Sequence, residues 1–349
     1  MLSLFKARNL HLFASTAIHV EIIAEPIARE PSEFEKAVLF YDKHYDLIVN
    51  HILVPGEKVT LGDMTNRVCR FCSRTKPEVT FKKVAHAIPE GLGNKSLVSA
   101  YECDPCNEFF GSGIEDDLGK WSKPMRTLAR ISGKNGVPTL KKGGDLSWRI
   151  EYDRNTGFKI ESFEHEPIFE IDEEHSQLKL KLRREAHVPL AVLKAFWKIA
   201  YTIMPEEELP NFQHLLRWIF QTPHLSVTDG NVLPVFYTFQ PGPMPPDVIG
   251  VAILRRKPGL NGYPYAFLAL RYGNETFQVL LPSAQHDVNG TSQPMARWQF
   301  PTLVDQKTYG TARHATLDWS STAIAKGEAE FVVHANFIKS RDLRSEATE

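Results

Sequence analysis

The chain is poor in cysteine, in net charge and in long apolar runs. It has four cysteines among 349 residues and a formal net charge of −1. No apolar run approaches the roughly 18 to 20 residues that a transmembrane helix requires. Few cysteines in a long chain argue against a disulfide-stabilised secreted scaffold. The apolar stretch near the N-terminus is broken by Asn9, His11 and His19 and resembles no targeting peptide. We therefore expect a folded cytoplasmic protein that has no membrane partner.

The remaining composition is that of an ordinary globular protein. Apolar residues make up 42% of the chain and charged residues 24%, which is enough to build a sizeable core. The charge is distributed unevenly along the chain. Residues 64–150 contain 15 Lys plus Arg against 9 Asp plus Glu, so the rest of the chain is acidic. Because basic surfaces attract phosphate through counterion release, this asymmetry weakly favours a polyanionic partner.

Three segments can be distinguished, and together they predict an α+β fold. Residues 1–63 are interpreted as a small β-rich segment, residues 64–145 as a module that contains all four cysteines, and residues 146–349 as a larger α+β domain of unknown fold. β-branched and apolar runs punctuated by proline predict short strands in the first segment. These runs are His19–Ala24, Ala37–Tyr41 and Leu47–Val54.

The third segment alternates between strand-like and helical patterns. A helix is predicted from Pro189 to Met204, because proline opens it and apolar residues recur at helical spacing. A second helix is predicted from Asn211 to Phe220. Strands are predicted within Trp148–Phe163, Glu170–Leu182, Val232–Phe239, Val248–Leu254, Tyr265–Leu270 and Thr276–Leu281.

The four cysteines form two C-x2-C pairs that are separated by 30 residues: Cys69 and Cys72, then Cys103 and Cys106. Such pairs each present two thiolates to one tetrahedral ion, so the spacing predicts a structural zinc site. Four buried free cysteines, or a redox-active pair, are the alternatives that the spacing alone leaves open.

Histidine and asparagine occur at fixed places around these pairs. The sequence HAIPEGLGNK, which begins at His86 and includes Asn94, lies between the two pairs, and ECDPCNEFFG places Asn107 directly after the last cysteine. The order resembles that of the HNH endonuclease family, in the branch with the patterns HxIPExLGNK and ECxxCNxxFG. The resemblance covers Cys69 to Lys120 and implies a ββα-metal module in which zinc fixes the two strands against a helix.

The resemblance also implies a role for each matching residue. His86 corresponds to the general base, Asn94 to the asparagine that braces the loop and orients the base, and Asn107 to a ligand of a catalytic divalent ion, Mg²⁺ or Mn²⁺. These roles agree with the chemistry, because an imidazole titrates near neutral pH and a divalent ion neutralises charge on the scissile phosphate. The first strand is expected within Val79–Ala87 and the second within Ser96–Cys103, with the helix beginning at Asn107.

One position departs from the family pattern. Many members carry Asp, Glu or His directly before the base, as a second metal ligand, whereas this chain has Ala85. Glu115 is the favoured replacement, and Glu90, Asp116 and Asp117 are the other candidates.

The resemblance predicts a metal-dependent endonuclease that hydrolyses phosphodiester bonds of DNA, with a role in restriction or phage defence as a further hypothesis. Five basic residues are expected to contact phosphates: Lys82, Lys83, Lys95, Lys120 and Arg126. RNA remains open as a substrate, as does a homo-oligomer or a regulatory partner. The competing hypothesis is a non-catalytic zinc-knuckle module that binds nucleic acid or protein, and the alanine before His86 is its best support.

Overall fold

The computed structural model describes residues 30–142, 148–162, 168–172, 174, 177–225, 233–288, 290–302 and 304–334. Helices and several sheets are mixed along this part of the chain, which confirms the predicted α+β class. The predicted strand His19–Ala24 lies outside the described residues. No described helix has the length and apolar character needed to cross a bilayer.

A six-stranded antiparallel sheet is the largest element. Its strands are β1 (Tyr45–Leu53), β10 (Pro234–Phe239), β11 (Ile249–Arg256), β12 (Ala266–Tyr272), β13 (Glu275–Leu281) and β14 (Arg313–Asp318), in the order β1-β11-β12-β13-β10-β14. The four strands predicted between residues 232 and 281 are therefore confirmed. The first strand pairs with β11 in the register Tyr45 to Arg256, so the predicted N-terminal segment contributes an edge strand to this sheet.

Both faces of this sheet are covered. Alternate residues of a strand point to opposite faces. Val251 and Ile253 belong to the main hydrophobic core, whereas Ala252 and Leu254 belong to a second cluster that includes Tyr41 of helix α1 (Glu33–His44). This burial on both sides explains why β11 is apolar almost throughout.

The helix α1 replaces the strand that was predicted at Ala37–Tyr41, so that prediction was wrong. Ser32 and Glu35 form a capping box at the helix start: the Ser32 hydroxyl accepts from the Glu35 N–H at 3.2 Å, and the Glu35 carboxylate accepts from the Ser32 N–H at 2.7 Å. A capping box satisfies backbone donors that a strand would leave to other partners, and it therefore favours the helix.

Helix α4 (Pro189–Ile203) is the central element of the main core, and it confirms the predicted helix. All fifteen of its residues are buried, as expected for a helix that is covered on every side. It packs against α3 (Ile114–Leu128), α5 (Gln213–Phe220) and strand β13. The predicted second helix is thus present as α5, preceded by a 3-10 helix at Glu206–Phe212.

The cysteine-bearing segment is small. Its strands β3 (Ala85–His86) and β4 (Leu97–Ser99) form a sheet with β2 (Val59–Leu61) of the preceding segment, with β4 between the other two. Helix α2 (Asp104–Ser112) follows β4, and α3 follows α2. The two strands predicted in this segment are therefore present but shorter, and the helix begins three residues before Asn107.

Two further three-stranded sheets complete the described residues. Strands β5 (Leu140–Lys142), β6 (Trp148–Asp153) and β7 (Gly157–Ser162) form one of them, and β8 (Phe169–Asp172), β9 (Gln177–His187) and β15 (Ala325–His334) form the other. They share a separate hydrophobic cluster. The boundaries predicted at residues 63/64 and 145/146 stay predictions. The main core, however, is continuous from Phe71 and Phe110 of the cysteine-bearing segment to Trp197 of α4.

Candidate nuclease site

The two cysteine pairs come from different local structures. Cys69 and Cys72 lie in a tight turn, in which the Ser73 N–H donates to the Cys69 carbonyl at 2.8 Å and the Cys69 N–H donates to the Arg74 carbonyl at 2.9 Å. Cys103 is the N-cap of α2, and Cys106 lies in its first turn. The fold brings the turn onto the start of the helix, so that all four thiols converge.

The four sulfur atoms fit one tetrahedral ion. All of them lie within 4.8 Å of one another, and the Cys72 and Cys103 Sγ atoms are 3.7 Å apart. With Zn–S bonds of about 2.3 Å, a tetrahedron places its sulfurs roughly 3.8 Å apart. The cluster is therefore a metal-binding site of the kind that zinc occupies, and the convergence of four thiols fits this better than isolated thiols or a single redox pair.

A cavity of about 320 Å³ lies beside this cluster. Four elements supply its polar lining: His86 from β3, Glu90 from the short 3-10 helix that follows β3, Asn107 from α2, and Glu115 and Arg126 from α3. The structure thus brings four of the predicted site residues, His86, Asn107, Glu115 and Arg126, to one cavity.

The environment of His86 favours the neutral form of its ring. Partial burial of the imidazole disfavours the charged form and lowers its pKa below the usual 6.5. Glu90 and Glu115 act in the opposite direction and Lys198 adds to the lowering, yet burial dominates. A neutral imidazole at pH 7 is able to accept a proton.

Asn94 is buried and lies outside this cavity. Its amide Nδ2 donates to the carbonyls of Ile88 and Leu97 at 2.7 and 2.8 Å, and its Oδ1 accepts from the N–H groups of Ser96 and Leu97 at 3.1 and 2.8 Å. The side chain therefore fastens both ends of the loop that joins β3 to β4. Gly93, with φ of 94°, provides the left-handed backbone that this loop requires.

The cysteine-bearing segment was compared with models of known protein families. The HNH endonuclease family model matches residues 69–122. This segment is an HNH module. The searches of curated proteins and of solved structures find no match for the chain. The matched residues include both cysteine pairs, the loop with Asn94 and the cavity side chains from His86 to Glu115.

The position before His86 supplies no ligand to the HNH module, because Ala85 is buried and carries only a methyl group. Glu115 instead lines the cavity from α3, and Glu90 lines it from the 3-10 helix after β3. Asp116 forms an ion pair with Lys120 at 2.6 Å, and Asp117 accepts from the Val188 N–H at 2.8 Å. Neither of these two aspartates belongs to the cavity lining.

The basic residues predicted to contact phosphates occupy different environments. The Lys82 side chain is exposed, the Lys83 ammonium pairs with Glu108 at 3.2 Å, and Lys120 pairs with Asp116. Arg126 lines the cavity, but its guanidinium donates to the carbonyls of Gly91 and Gly119 and to the Ser122 hydroxyl at 2.8–3.0 Å. Arg126 therefore ties α3 to the loop after β3.

Lys95 belongs to a second cavity of about 830 Å³, on the other side of the same loop. Arg130 and Arg154 also line it, as do Asp153 and Asp247. Within the described part of the chain, the side chains of Lys95, Arg130 and Arg154 make no hydrogen bond or ion pair. The first part of the loop, residues 90–92, thus lines the first cavity, and its second part, residues 93–96, lines the cavity that carries these three cations.

Several contacts of the HNH module were not predicted from the sequence. The Asp104 carboxylate accepts from the N–H groups of Lys82 and Lys83 at 2.9 and 2.8 Å, which fixes the approach to β3. Arg70, between the first two cysteines, donates to three carbonyls at the end of α4. Lys198 of α4 forms ion pairs with Glu102 and Glu115. The position of Lys198 in an apolar helix is a sequence signal for such a pair, because a buried lysine requires a partner.

Proposed function

We propose that this chain is a metal-dependent endonuclease that hydrolyses phosphodiester bonds of DNA at the cavity of its HNH module. The observation that supports this most directly is the convergence of His86, Asn107 and Glu115 on one cavity beside the four-cysteine cluster. At about 320 Å³ the cavity has room for roughly ten water volumes, which suffices for a phosphodiester and an attacking water.

In this proposal His86 is the general base. Its depressed pKa leaves a ring nitrogen free to take a proton from water at neutral pH. Asn94 fastens the loop that follows β3 and so limits the movement of His86. The end of β3 that carries His86 is thereby fastened to the start of β4.

Asn107 and Glu115 would hold the catalytic Mg²⁺ or Mn²⁺ through an amide oxygen and a carboxylate oxygen. Such an ion supplies positive charge for the scissile phosphate and the departing oxygen. Hard cations prefer oxygen ligands, and both side chains offer them at the cavity wall. Glu90 is the alternative carboxylate, because it lines the same cavity.

The flanking nucleic acid would follow the cations around the loop. Lys95, Arg130 and Arg154 surround the second cavity without internal partners, so they are free to contact backbone phosphates. Lys82 and Lys83 lie exposed just before β3 and would contact phosphates near the first cavity, which His86 lines. A role in restriction or phage defence rests on the family resemblance alone.

The deciding experiment compares cleavage of supercoiled plasmid by the wild type, His86→Ala and His314→Ala, with Mg²⁺ or Mn²⁺. Loss of a general base typically slows a reaction by about 10²–10⁴-fold, and we expect His86→Ala to show such a loss. His314 lies exposed on β14 and serves as the matched control, which is expected to keep full activity. A parallel RNA substrate tests the preference for DNA.

The non-catalytic alternative predicts a different result. The absence of a ligand at Ala85 favours it, because a module without a second metal ligand could keep its fold and lose its chemistry. It predicts salt-dependent DNA binding by the wild type and by His86→Ala, with no cleavage by either. That outcome would replace the proposed endonuclease by a binding module.

A further inference from the structure

A buried lysine of α4 lies between two glutamates of the HNH module. The Lys198 Nζ is 2.8 Å from the Glu102 Oε2 and 2.8 Å from the Glu115 Oε1. The side chains of Lys198 and Glu102 are 1% and 0% exposed, whereas that of Glu115 is 17% exposed and reaches the cavity. One ammonium group therefore links the buried core to the cavity wall.

Aromatic rings fix the ammonium from two other sides. The Lys198 Nζ lies 5.7 Å from the ring centre of Phe71 and 5.6 Å from that of Phe110. These are distances at which a cation is attracted to the face of a ring. Phe71 lies between the first two cysteines and Phe110 lies on α2, so the zinc cluster and its helix together shape the lysine's environment.

The ammonium group faces two carboxyl groups, of which only that of Glu115 reaches the cavity. The Glu115 Oε1 is held by the lysine, so a cation in the cavity would bind the second oxygen of the same carboxylate.

We propose that Lys198 is a positioning residue, which holds one oxygen of Glu115 so that the other faces a divalent ion in the cavity shared with His86 and Asn107. The inference rests on the proposed function and deepens it, because it assigns to the metal site a residue from far outside the matched segment 69–122. The catalytic module is then incomplete without α4.

The test measures Mn²⁺ binding to the zinc-loaded protein by electron paramagnetic resonance, with the wild type and Lys198→Met. Loss of a residue that orients a metal ligand typically weakens metal affinity by about 10–100-fold, and we expect the Mn²⁺ dissociation constant to rise by that factor. The Mn²⁺ concentration for half-maximal cleavage should rise in parallel. The turnover of Lys198→Met at saturating Mn²⁺ should fall by a smaller factor than its Mn²⁺ affinity.

Lys194 provides a matched control on the same helix. Its side chain is also buried, but the Nζ donates to the Gln221 carbonyl at 3.0 Å and lies near His224, away from both glutamates. We expect Lys194→Met to lower stability and to leave Mn²⁺ affinity unchanged. A folded Lys198→Met protein with wild-type Mn²⁺ affinity would overturn the inference.

A second variant covers the case in which Lys198→Met does not fold. Lys198→Met combined with Glu102→Gln removes the buried cation together with the buried anion, and the same rise in the Mn²⁺ dissociation constant is expected. Unchanged affinity in this double variant also overturns the inference. If the wild type neither binds Mn²⁺ nor cleaves DNA, the proposed function itself fails. If the wild type does both and the lysine variants match it, only the role of Lys198 fails.

Discussion

Arg70 connects the zinc cluster to the central helix of the fold, and its replacement by methionine should destabilise the whole protein. The Arg70 Nη1 donates to the carbonyls of Tyr201, Thr202 and Met204 at 3.1, 2.7 and 2.8 Å. These carbonyls belong to the C-terminal end of α4, where helical carbonyls lack partners and the helix dipole favours a cation. The Arg70 side chain is only 4% exposed and also stacks on the Tyr101 ring at 3.6 Å.

The expected magnitude follows from these contacts. The Nη1 atom carries two hydrogens, so the three carbonyls share two charge-assisted hydrogen bonds. Each such bond contributes about 1.5–3 kcal/mol, and methionine replaces the aliphatic part of the side chain but none of the donors. We therefore expect Arg70→Met to lower the free energy of unfolding by about 3–6 kcal/mol, a large part of the roughly 5–15 kcal/mol typical of a folded domain.

Urea denaturation in buffered zinc, followed by circular dichroism and tryptophan fluorescence, measures this loss. The control is Arg217→Met, because Arg217 lies in the last turn of α5 but is exposed, and its replacement should leave the midpoint nearly unchanged. A neutral hydrogen bond contributes about 1 kcal/mol. If Arg70→Met lowers the free energy of unfolding by less than this amount, the reasoning is refuted.

Four further outcomes are expected. Glu115→Gln should raise the metal concentration for half-maximal cleavage by roughly 10-fold or more, while Glu90→Gln should leave it nearly unchanged; the reverse result would make Glu90 the ligand. The rate of cleavage should fall as the pH decreases through the pKa of His86, which lies below 6.5, because protonation removes the base. Glu90→Gln should move this fall to lower pH, since Glu90 raises the pKa of His86. A fall centred above pH 6.5 would contradict the assignment of His86 as the base. Cys106→Ser should release the zinc and abolish the cooperative unfolding transition, as measured by metal analysis and urea titration; a variant that unfolds like the wild type would contradict a structural zinc. Arg154→Ala should weaken DNA binding and lower the slope of log affinity against log salt by about 1, and an unchanged slope would remove Arg154 from the interface.

Local patterns predicted the elements of the C-terminal part well. The helix from Pro189 was predicted because proline and an apolar periodicity agree there, and the structure ends it at Ile203, one residue before the predicted end. Short apolar runs between glycines and prolines predict the strands of the large sheet. By contrast, the apolar run Ala37–Tyr41 has the β-branched and aromatic composition of a strand, but it forms a helix that the capping box of Ser32 and Glu35 begins.

The long-range pairings had no comparable signal. Strand β1 pairs with β11 across about 200 residues of chain, and no local pattern specifies which strand an edge strand joins. The same limit applies to the candidate site. Its cysteines, His86, Asn94 and Asn107 lie within one short motif, whereas Lys198 is a single residue in an apolar helix. Its burial could be expected from the helix, but its two glutamate partners could not.

Two contacts across the module connect the four-cysteine cluster to α4. Arg70 lies between the first two cysteines and binds the end of α4, while Glu102 directly precedes the third cysteine and pairs with Lys198 one turn earlier in the same helix. Closing the zinc site therefore positions both contacts at once. A fragment limited to residues 69–122 would expose Phe71 and Phe110 and would leave the buried Glu102 and the partly buried Glu115 without their cation. Because unpaired buried charges are costly, the geometry of the cavity depends on α4 as much as on the motif that marks the HNH module.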